Sequence, residues 1–324
     1  MSTSEDPGKE AQDQGQRSRP TARASPLSEV FGPVVTGPYP LSPADPSRLG
    51  ARTPVHSRDR CEGSGECVRV CPTEAITVEG RGEEVTFQLD YGRCIFCRRC
   101  VDVCPTGALT ASPQFELATL QRDDLRLMHS RKREVAPSPP PSQLWEETCQ
   151  RVSRLFGGSL AVREVDAGSC NGCEVEVSAL TWPAYDSERL GIHFVASPRH
   201  ADALLVTGPV TANMRLALEK TYRATPAPKF VLAVGACGIS GGPFRGSPEI
   251  LGGVGSVVPV QVFVPGCPPR PEALLYGFWL ALGKLEQKLH RKGLEVPAGA
   301  SRGGRPSSGE TPKSGPEHGS TDAP

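Results

Sequence analysis

The sequence predicts an α/β protein with two folded units, a small one built from a duplicated cysteine motif and a larger one built on a parallel sheet. The duplication is the first observation: three cysteines and a proline occur twice, 33 residues apart, as Cys61, Cys67, Cys71 and Pro72 and as Cys94, Cys100, Cys104 and Pro105. The second observation is that short apolar runs alternate with helical stretches after residue 143, which is typical of a parallel sheet. The third is that cysteines follow the ends of several of these runs.

Composition argues against several classes of function. The 324 residues carry 36 basic and 36 acidic side chains, and this balance gives no sign of binding to nucleic acid or to an anionic membrane. The chain begins with polar residues and not with an apolar signal region, so we expect its twelve cysteines to be reduced thiols in the cytoplasm. The longest apolar run, 273–283, is shorter than the ~20 residues that cross a bilayer. Any membrane association is therefore expected to come through partners.

Changes in composition divide the chain into five segments. Residues 1–29 are rich in Ser, Gln, Pro and charge and are predicted to be a disordered tail, as is the low-complexity segment 293–324. Residues 30–130 are predicted to form the small unit, which begins with a Pro-rich extended arm that we expect to lie on a partner. Four prolines within 131–142 predict a semi-rigid linker, and residues 143–292 are predicted to form the larger unit.

Two short runs in the small unit predict a β-hairpin between the copies of the cysteine motif. Residues 75–78 and 85–89 alternate apolar and polar side chains on either side of Gly80-Arg-Gly82. The charged stretch Gln121–Arg133 is predicted to be a helix that leads out of the unit.

The larger unit is predicted to open with a helix on which Trp145, Cys149 and Phe156 share one face, so Cys149 is interpreted as a buried core thiol. Five apolar runs predict strands at Leu160–Val165, Ile192–Val195, Ala203–Val206, Phe230–Val234 and Val260–Val264. Helices are predicted at Thr211–Tyr222 and, as the last element, at Pro271–His290.

Four cysteines follow the ends of these predicted strands. Cys170 and Cys173 follow the first run, and two single cysteines follow later runs as Cys237 and Cys267. Because ligands of parallel sheets bind at the carboxyl ends of the strands, these four thiols are predicted to converge there. Four thiolates can hold an iron–sulfur cube or a structural zinc ion.

The residues around these cysteines resemble a known family. The segments "DAGSCNGCEVEV" (166–177), "VGACGISGG" (234–242) and "PGCPPRPE" (265–272) resemble the small, electron-transferring subunit of group 4 [NiFe] hydrogenases, a relative of the B-type subunit of NADH-quinone oxidoreductase. That quinone-reductase subunit usually has two adjacent cysteines where this chain has Cys170-Asn-Gly-Cys173, so the spacing resembles the hydrogenase branch, including the formate hydrogenlyase type. The resemblance implies a flavodoxin-like fold and favours a [4Fe–4S] cluster over zinc at Cys170, Cys173, Cys237 and Cys267.

The duplicated motif resembles two-cluster bacterial ferredoxins. In these proteins the cysteine before the proline points away from its own loop and binds the other cluster. The resemblance therefore assigns the second cluster, a [4Fe–4S] cluster, to Cys71, Cys94, Cys97 and Cys100. It assigns the first cluster to Cys61, Cys67, Cys104 and the residue that aligns with Cys97, which is Ser64.

Ser64 leaves the first ligand set incomplete, because a serine hydroxyl is a harder and more weakly acidic ligand than a thiol. Three outcomes are open: a [3Fe–4S] cluster, a [4Fe–4S] cluster with Ser64 or water on one iron, or no first cluster. We favour the first two outcomes, because the three cysteines of the set and the loop glycines Gly63 and Gly65 are present.

For each of the other candidate residues, a functional role and an ordinary structural role are both open. Glu176 is a candidate for carrying protons near the partner interface that the resemblance implies, or for a local backbone hydrogen bond. Arg98 and Arg99 would raise the potential of the second cluster or dock an acidic donor, with solvated surface as the alternative. His193 and His200 have no paired ligand spacing and are predicted to be surface or core residues.

Together, these observations and the resemblance predict an electron-transfer iron–sulfur subunit of an oxidoreductase complex that lies peripherally on the inner face of the cell membrane. The implied partners are a hydrogenase large subunit or its D-type counterpart in NADH-quinone oxidoreductase, membrane subunits, and an electron donor such as a ferredoxin or a formate dehydrogenase. The cysteine pairs that nickel would need are already assigned, so the substrate-converting site is expected on a partner. The alternatives are a B-type component of an NADH- or ferredoxin-quinone oxidoreductase, and a non-redox scaffold.

Overall fold

Two packed units make up the part of the chain that the computed structural model describes, which is residues 36–45, 49–130, 158–290 and 293–294. The regular elements of the small unit are β1 (Thr53–His56), α1 (Glu66–Arg69), β2 (Ile76–Glu79), β3 (Thr86–Asp90), α2 (Arg99–Asp102), β4 (Leu109–Ser112) and β5 (Arg126–Ser130). β1 pairs with β4, and β2, β3 and β5 form a three-stranded sheet; all of these pairs are antiparallel.

The duplication in the sequence is also present in the backbone. Each of β1, α1 and β2 recurs 33 residues later, as β3, α2 and β4. The pairing follows the same symmetry, since β1 lies against β4 and β2 lies against β3. The predicted hairpin is confirmed as β2 and β3, and its inward-facing side chains Ile76, Phe87 and Leu89 are buried. Each such side chain contributes about 1.5–3 kcal/mol through burial.

The predicted helix at Gln121–Arg133 is wrong. A 3₁₀ turn occupies Arg122–Leu125, and the strand β5 follows it and pairs with β3; residues 131–133 lie outside the described part. Leu127 is buried while Met128 is exposed, so burial alternates along β5 as in a strand with one covered face. Pairing with β3 therefore outweighs the helical preference of a charged stretch.

The larger unit is built on a parallel sheet, as the sequence predicts. Its strands are β6 (Leu160–Asp166), β7 (Ile192–Phe194), β8 (Ala203–Thr207), β9 (Phe230–Val234) and β10 (Val262–Val264). Their order is β7-β6-β8-β9-β10 and every neighbouring pair is parallel, which is the flavodoxin-like order. The last strand begins two residues later than predicted. β8 and β9 are buried along their whole length, as expected of central strands with both faces covered.

The helices of the larger unit are α3 (Gly172–Ala179), α4 (Ala212–Ala224), α5 (Gly235–Ser240) and α6 (Pro271–Ala281). The helix predicted at Thr211–Tyr222 corresponds to α4, which Thr211 caps by accepting a hydrogen bond from the N–H of Met214 at 3.3 Å.

The helix predicted at Pro271–His290 is correct only in its first half. α6 ends at Ala281, and Gly283 follows with φ +65°, a left-handed conformation that redirects the chain. Farther along, Leu289–His290 forms β11, which pairs with β12 (Gly293–Leu294). Ordered structure thus extends two residues into the segment predicted to be a tail.

The described residues of the Pro-rich arm pack on this chain, and the expectation that the arm lies on a partner stays a prediction. The N–H of Gly37 donates to the carbonyl of Ala184 at 2.7 Å. Tyr39 is buried, and its hydroxyl donates to Glu116 at 3.2 Å. The arm therefore touches both units.

Backbone and side-chain contacts join the two units. Thr119 and Phe263 exchange backbone hydrogen bonds of 3.0 and 2.9 Å, so a residue of the small unit extends the edge strand β10. Arg245 of the larger unit also pairs with Glu74 of the small unit at 2.8 Å. These contacts fix the cysteines of one unit relative to those of the other.

Within the described residues, every helix is too short or too polar to cross a membrane. The predicted tail 1–29, most of the predicted tail 293–324, the linker 131–142 and the helix around Cys149 lie outside the described part of the chain.

Candidate iron–sulfur sites

The first group of candidate ligands lines one small cavity. Cys61, Ser64, Cys67 and Cys104 all border this cavity, so the cysteine before Pro105 lies with the first loop and not with its own. The pKa of Cys67 is raised to about 11, mainly by burial and then by the nearby thiols of Cys61 and Cys104.

The second group lines a separate cavity. Cys71, Cys94, Cys97 and Cys100 border it, so Cys71 lies with the loop of the other half. Burial raises the pKa of Cys94 above its ordinary value. The pKa of Cys100 is raised to about 12, first by burial and then by the thiols of Cys71 and Cys97. The structure thus brings together the two crossed sets that the sequence predicts.

The two loops have the same backbone shape. Gly63 and Gly65 have φ values of 76° and 78°, and their counterparts Phe96 and Arg98 have φ values of 56° and 66°. Residues other than glycine rarely adopt this left-handed conformation, and they do so mainly at functional sites. In the second loop it directs the N–H of Phe96 to the sulfur of Cys94, at 3.3 Å. Ser64 therefore replaces one candidate sulfur ligand by an oxygen, while the first loop keeps the backbone shape of the second.

The third group lies at the carboxyl edge of the parallel sheet. Cys170 and Cys173 follow β6, Cys237 lies in α5 directly after β9, and Cys267 follows β10. This is the edge at which open α/β sheets bind their ligands. The structure therefore brings the four predicted cysteines to the same edge of the sheet, after β6, β9 and β10.

Hydrogen bonds within and between the loops hold these cysteines in place. The carboxylate of Asp166 accepts from the N–H groups of Gly168 and Ser169, both at 2.7 Å, and so shapes the turn before the first cysteine pair. The N–H of Ala236 donates to the carbonyl of Gly266 at 2.8 Å, which ties the loop after β9 to the loop after β10.

The four thiols of the third group lie close enough to perturb one another. Burial is the main cause that raises the pKa of Cys173, followed by the carboxylate of Glu174 and the other three thiols of the group. The pKa of Cys237 is raised to about 12 by burial and then by the thiols of Cys267 and Cys170. Ionising such a group is costly unless a positive charge binds to it, so the donor set suits a group that contains iron.

Two glycines leave the space beside these sulfurs open. A Cβ atom at Gly235 would lie 2.8 Å from the sulfur of Cys173, and one at Gly242 would lie 2.7 Å from the sulfur of Cys237. Any larger residue would therefore crowd the two thiols. Among the described residues, no group of three or more His, Cys, Asp or Glu side chains is arranged to hold a metal ion. The cavities of the first and second groups each have four candidate ligands in their lining, which fits iron–sulfur clusters.

The three groups form a series. The thiol of Cys67 in the first group contributes to the raised pKa of Cys100 in the second. The thiol of Cys97 in the second group contributes to the raised pKa of Cys267 in the third. In addition, α1, which carries Cys67, packs against α2, which carries Cys100. Phe96 of the second loop and Cys267 of the third group line one cavity. The second group therefore adjoins both of the others.

The remaining predicted residues are charged side chains outside the three thiol groups, and one of them, Arg98, borders the cavity of the second group. Glu176 is half-buried, and burial raises its pKa while the charges of Arg270 and Arg52 oppose that rise. Arg98 and Arg99 are exposed beside the second group. The structure gives Glu176, Arg98 and Arg99 no ligand position.

Two residues near the sites were missed by the sequence analysis. Both carboxylate oxygens of Glu174 are buried and have no hydrogen-bond partner among the described residues, although the residue directly follows Cys173. His56 lines the first cavity. The pKa of His56 is lowered to about 3, first by burial and then by the neighbouring His129. A comparison of the two repeats could have found His56, because leucine stands at the equivalent position, Leu89.

Comparisons with known proteins agree with both units. Residues 170–281 match the family described as NADH ubiquinone oxidoreductase, 20 Kd subunit, and residues 60–108 match the 4Fe-4S dicluster domain. These matches support iron–sulfur clusters in the small unit and a larger unit of the 20 kDa type.

Several curated proteins are similar to this chain. Formate hydrogenlyase subunit 7 of Escherichia coli is 52% identical over 135 residues, which is 42% of this chain and 53% of that protein. The membrane-bound hydrogenase subunit mbhJ of Pyrococcus furiosus is 49% identical over 152 residues, which is 47% of this chain and 89% of the relative. The B-type subunit of NADH-quinone oxidoreductase from Carboxydothermus hydrogenoformans is 48% identical over 111 residues, which is 34% of this chain and 66% of the relative. This chain thus spans about half the length of the Escherichia coli relative.

A chain in a solved structure of the membrane-bound sulfane sulfur reductase, an archaeal respiratory membrane complex, is 32% identical. The match covers 44% of this chain and 80% of that one, with a TM-score of 0.37.

The family models and the curated relatives define the class as iron–sulfur proteins similar to subunits of oxidoreductase complexes. Because the chain covers 89% of the Pyrococcus relative at 49% identity, it belongs to the family of the 20 kDa subunit of NADH–ubiquinone oxidoreductase.

Proposed function

We propose that this chain relays electrons as the iron–sulfur subunit of a membrane-associated, cytoplasm-facing oxidoreductase complex similar to group 4 [NiFe] hydrogenases. The single observation that carries the proposal is the series of three cysteine groups in one chain, with the second group next to both of the others. Electrons would pass from a donor through the small unit and the third group to a large catalytic subunit, which we expect to carry the substrate-converting site.

Three ligand sets follow from this proposal. Cys71, Cys94, Cys97 and Cys100 hold a [4Fe–4S] cluster, and Cys170, Cys173, Cys237 and Cys267 hold another. Cys61, Cys67 and Cys104 hold the first cluster, a [3Fe–4S] cluster or a [4Fe–4S] cluster whose remaining iron takes Ser64 or water. A bound iron–sulfur cluster accepts and releases one electron at a potential that its surroundings set.

The residues of the chain tune those surroundings. The N–H of Ala75 donates to the sulfur of Cys71 at 3.2 Å, and the N–H of Phe96 donates to the sulfur of Cys94 at 3.3 Å. Hydrogen bonds to sulfur stabilise the more negative, reduced state and raise the potential. Burial of Cys94 and Cys100 excludes water and acts in the opposite direction.

A large partner subunit is the proposed acceptor or donor at the third group. Next to that group, Val175 on α3 is 55% exposed, and Trp182 just beyond the helix is 58% exposed. Exposed apolar side chains of this size mark protein interfaces when they cluster. Glu176 lies on the same helix, with a raised pKa, and is proposed to carry protons at this interface.

A second candidate is a B-type component of an NADH- or ferredoxin-quinone oxidoreductase. The 48% identity to the relative from Carboxydothermus hydrogenoformans favours it. The spacing Cys170-Asn-Gly-Cys173 favours the hydrogenase type. The two candidates differ in the large subunit, because only a nickel–iron enzyme needs two paired cysteine motifs there.

The proposal predicts that an affinity-tagged chain, purified without oxygen from solubilised membranes, brings a large subunit and membrane subunits with it. Hydrogen gas should then reduce the clusters, which visible bleaching and EPR measure. Reduction by NADH or a reduced ferredoxin, but not by hydrogen, would favour the second candidate. An isolated chain without associated subunits would contradict both.

A further inference from the structure

His56 faces the cavity of the first cysteine group. It is the last residue of β1, it pairs with Leu109 of β4, and only 5% of its surface is exposed. Cys61, Cys67 and Cys104 line the same cavity. A histidine so deeply buried requires partners for both ring nitrogens.

Only one ring nitrogen of His56 has a partner in the described residues. Its Nδ1 lies 2.9 Å from Nδ1 of His129, and its ring stacks on Phe87 with 3.7 Å between the ring centroids. The other nitrogen, Nε2, is buried and has no hydrogen-bond partner among the described residues. The stacking and the contact with His129 hold the ring in place, so Nε2 stays directed away from His129.

The second copy of the repeat shows which part of the molecule the position of His56 faces. The residue equivalent to His56 in the second half is Leu89, which is buried and lines the cavity of the second cysteine group. The pairings are also equivalent, since His56 lies opposite Leu109 and Leu89 lies opposite Ile76. A leucine suits an apolar contact with a cluster, whereas a histidine adds a polar nitrogen at the same place.

We propose that His56 contacts the first cluster and donates its Nε2–H to a sulfur atom of that cluster. In this arrangement Nδ1 of His56 accepts the hydrogen bond from His129, so the neutral ring carries its one hydrogen on Nε2. The inference rests on the proposed first cluster. The added hydrogen bond stabilises the reduced cluster, so the first cluster has a higher potential than it would have with leucine at this position.

The test is EPR-monitored redox titration of the full chain, assembled without oxygen. His56→Leu, which copies the second half, should shift the potential of the first cluster to a more negative value and leave the other two unchanged. His56→Gln keeps an N–H donor and should restore part of the shift. The reciprocal variant Leu89→His should raise the potential of the second cluster only.

Pulsed EPR of chain labelled with ¹⁵N-histidine supplies a second measurement. We expect a weak nitrogen coupling and a proton coupling that disappears in D₂O. A strong coupling, typical of nitrogen bound directly to iron, would overturn the proposal in favour of His56 as a ligand. A first cluster that is present by iron analysis but keeps its potential in His56→Leu would also overturn it. Absence of that cluster from the wild-type chain would refute the proposed first ligand set as well.

Discussion

Replacing Cys173 by alanine is expected to remove the cluster proposed at the third group and to stop electron delivery to the partner subunit. Alanine has no sulfur to bind iron, so the half-buried group keeps only three of its four thiolate ligands. The variant should lose about four iron atoms per chain and the EPR signal of one cluster. Iron and sulfide analysis of protein assembled without oxygen measures the loss.

Cys149→Ala is the matched control, because it also removes one thiol and Cys149 belongs to none of the predicted ligand sets. It should retain all the iron and the full electron-transfer rate. An iron content and an EPR signal of the third cluster that are both unchanged in Cys173→Ala would show that this thiol is not a ligand.

In the proposed ligand sets, the cysteine before each proline binds the cluster of the other loop. This arrangement predicts opposite results for the equivalent cysteines Cys71 and Cys104. Cys71→Ala should remove the second cluster, because Cys71 borders the cavity of Cys94, Cys97 and Cys100. Cys104→Ala should remove the first cluster, because it borders the cavity of Cys61. Each variant should lose about three or four iron atoms.

EPR distinguishes the two losses. The first cluster lacks one thiolate ligand, so after oxidation it should show either a three-iron signal or a signal that differs from that of an all-cysteine cluster. That signal should survive in Cys71→Ala and disappear in Cys104→Ala. The reverse outcome would mean that each cysteine binds the cluster of its own loop.

Much of the fold could be predicted because its patterns are local or repeated. The copies of the cysteine motif have the same spacing, and the backbone repeats with the same period. The apolar runs of the parallel sheet are continuous, as expected of strands that are covered on both faces.

The errors have a common physical cause, which is pairing between distant segments. β5 forms a strand because β3 lies beside it. The segment after α6 leaves the helical path, and Gln287 donates to Asp124 at 2.9 Å and to the carbonyl of Leu289 at 2.8 Å. Side-chain periodicity within a short window contains no information about such partners.

The candidate sites were predictable to a similar extent. Cysteine spacing and the family resemblance predicted the three groups, and the structure brings the cysteines of each group close together. The surroundings of the sulfurs were not predictable, since the unpartnered Nε2 of His56 and the buried carboxylate of Glu174 depend on tertiary packing. Spacing and resemblance predict the candidate ligands, whereas tertiary packing determines which other groups lie beside them.

The measurement that tests the central claim most directly is the iron and acid-labile sulfide content of the full chain, assembled without oxygen, together with its EPR spectrum. The account predicts about eleven or twelve iron atoms per chain, a brown colour, and signals from three interacting clusters. A colourless chain that binds no iron under these conditions would contradict it.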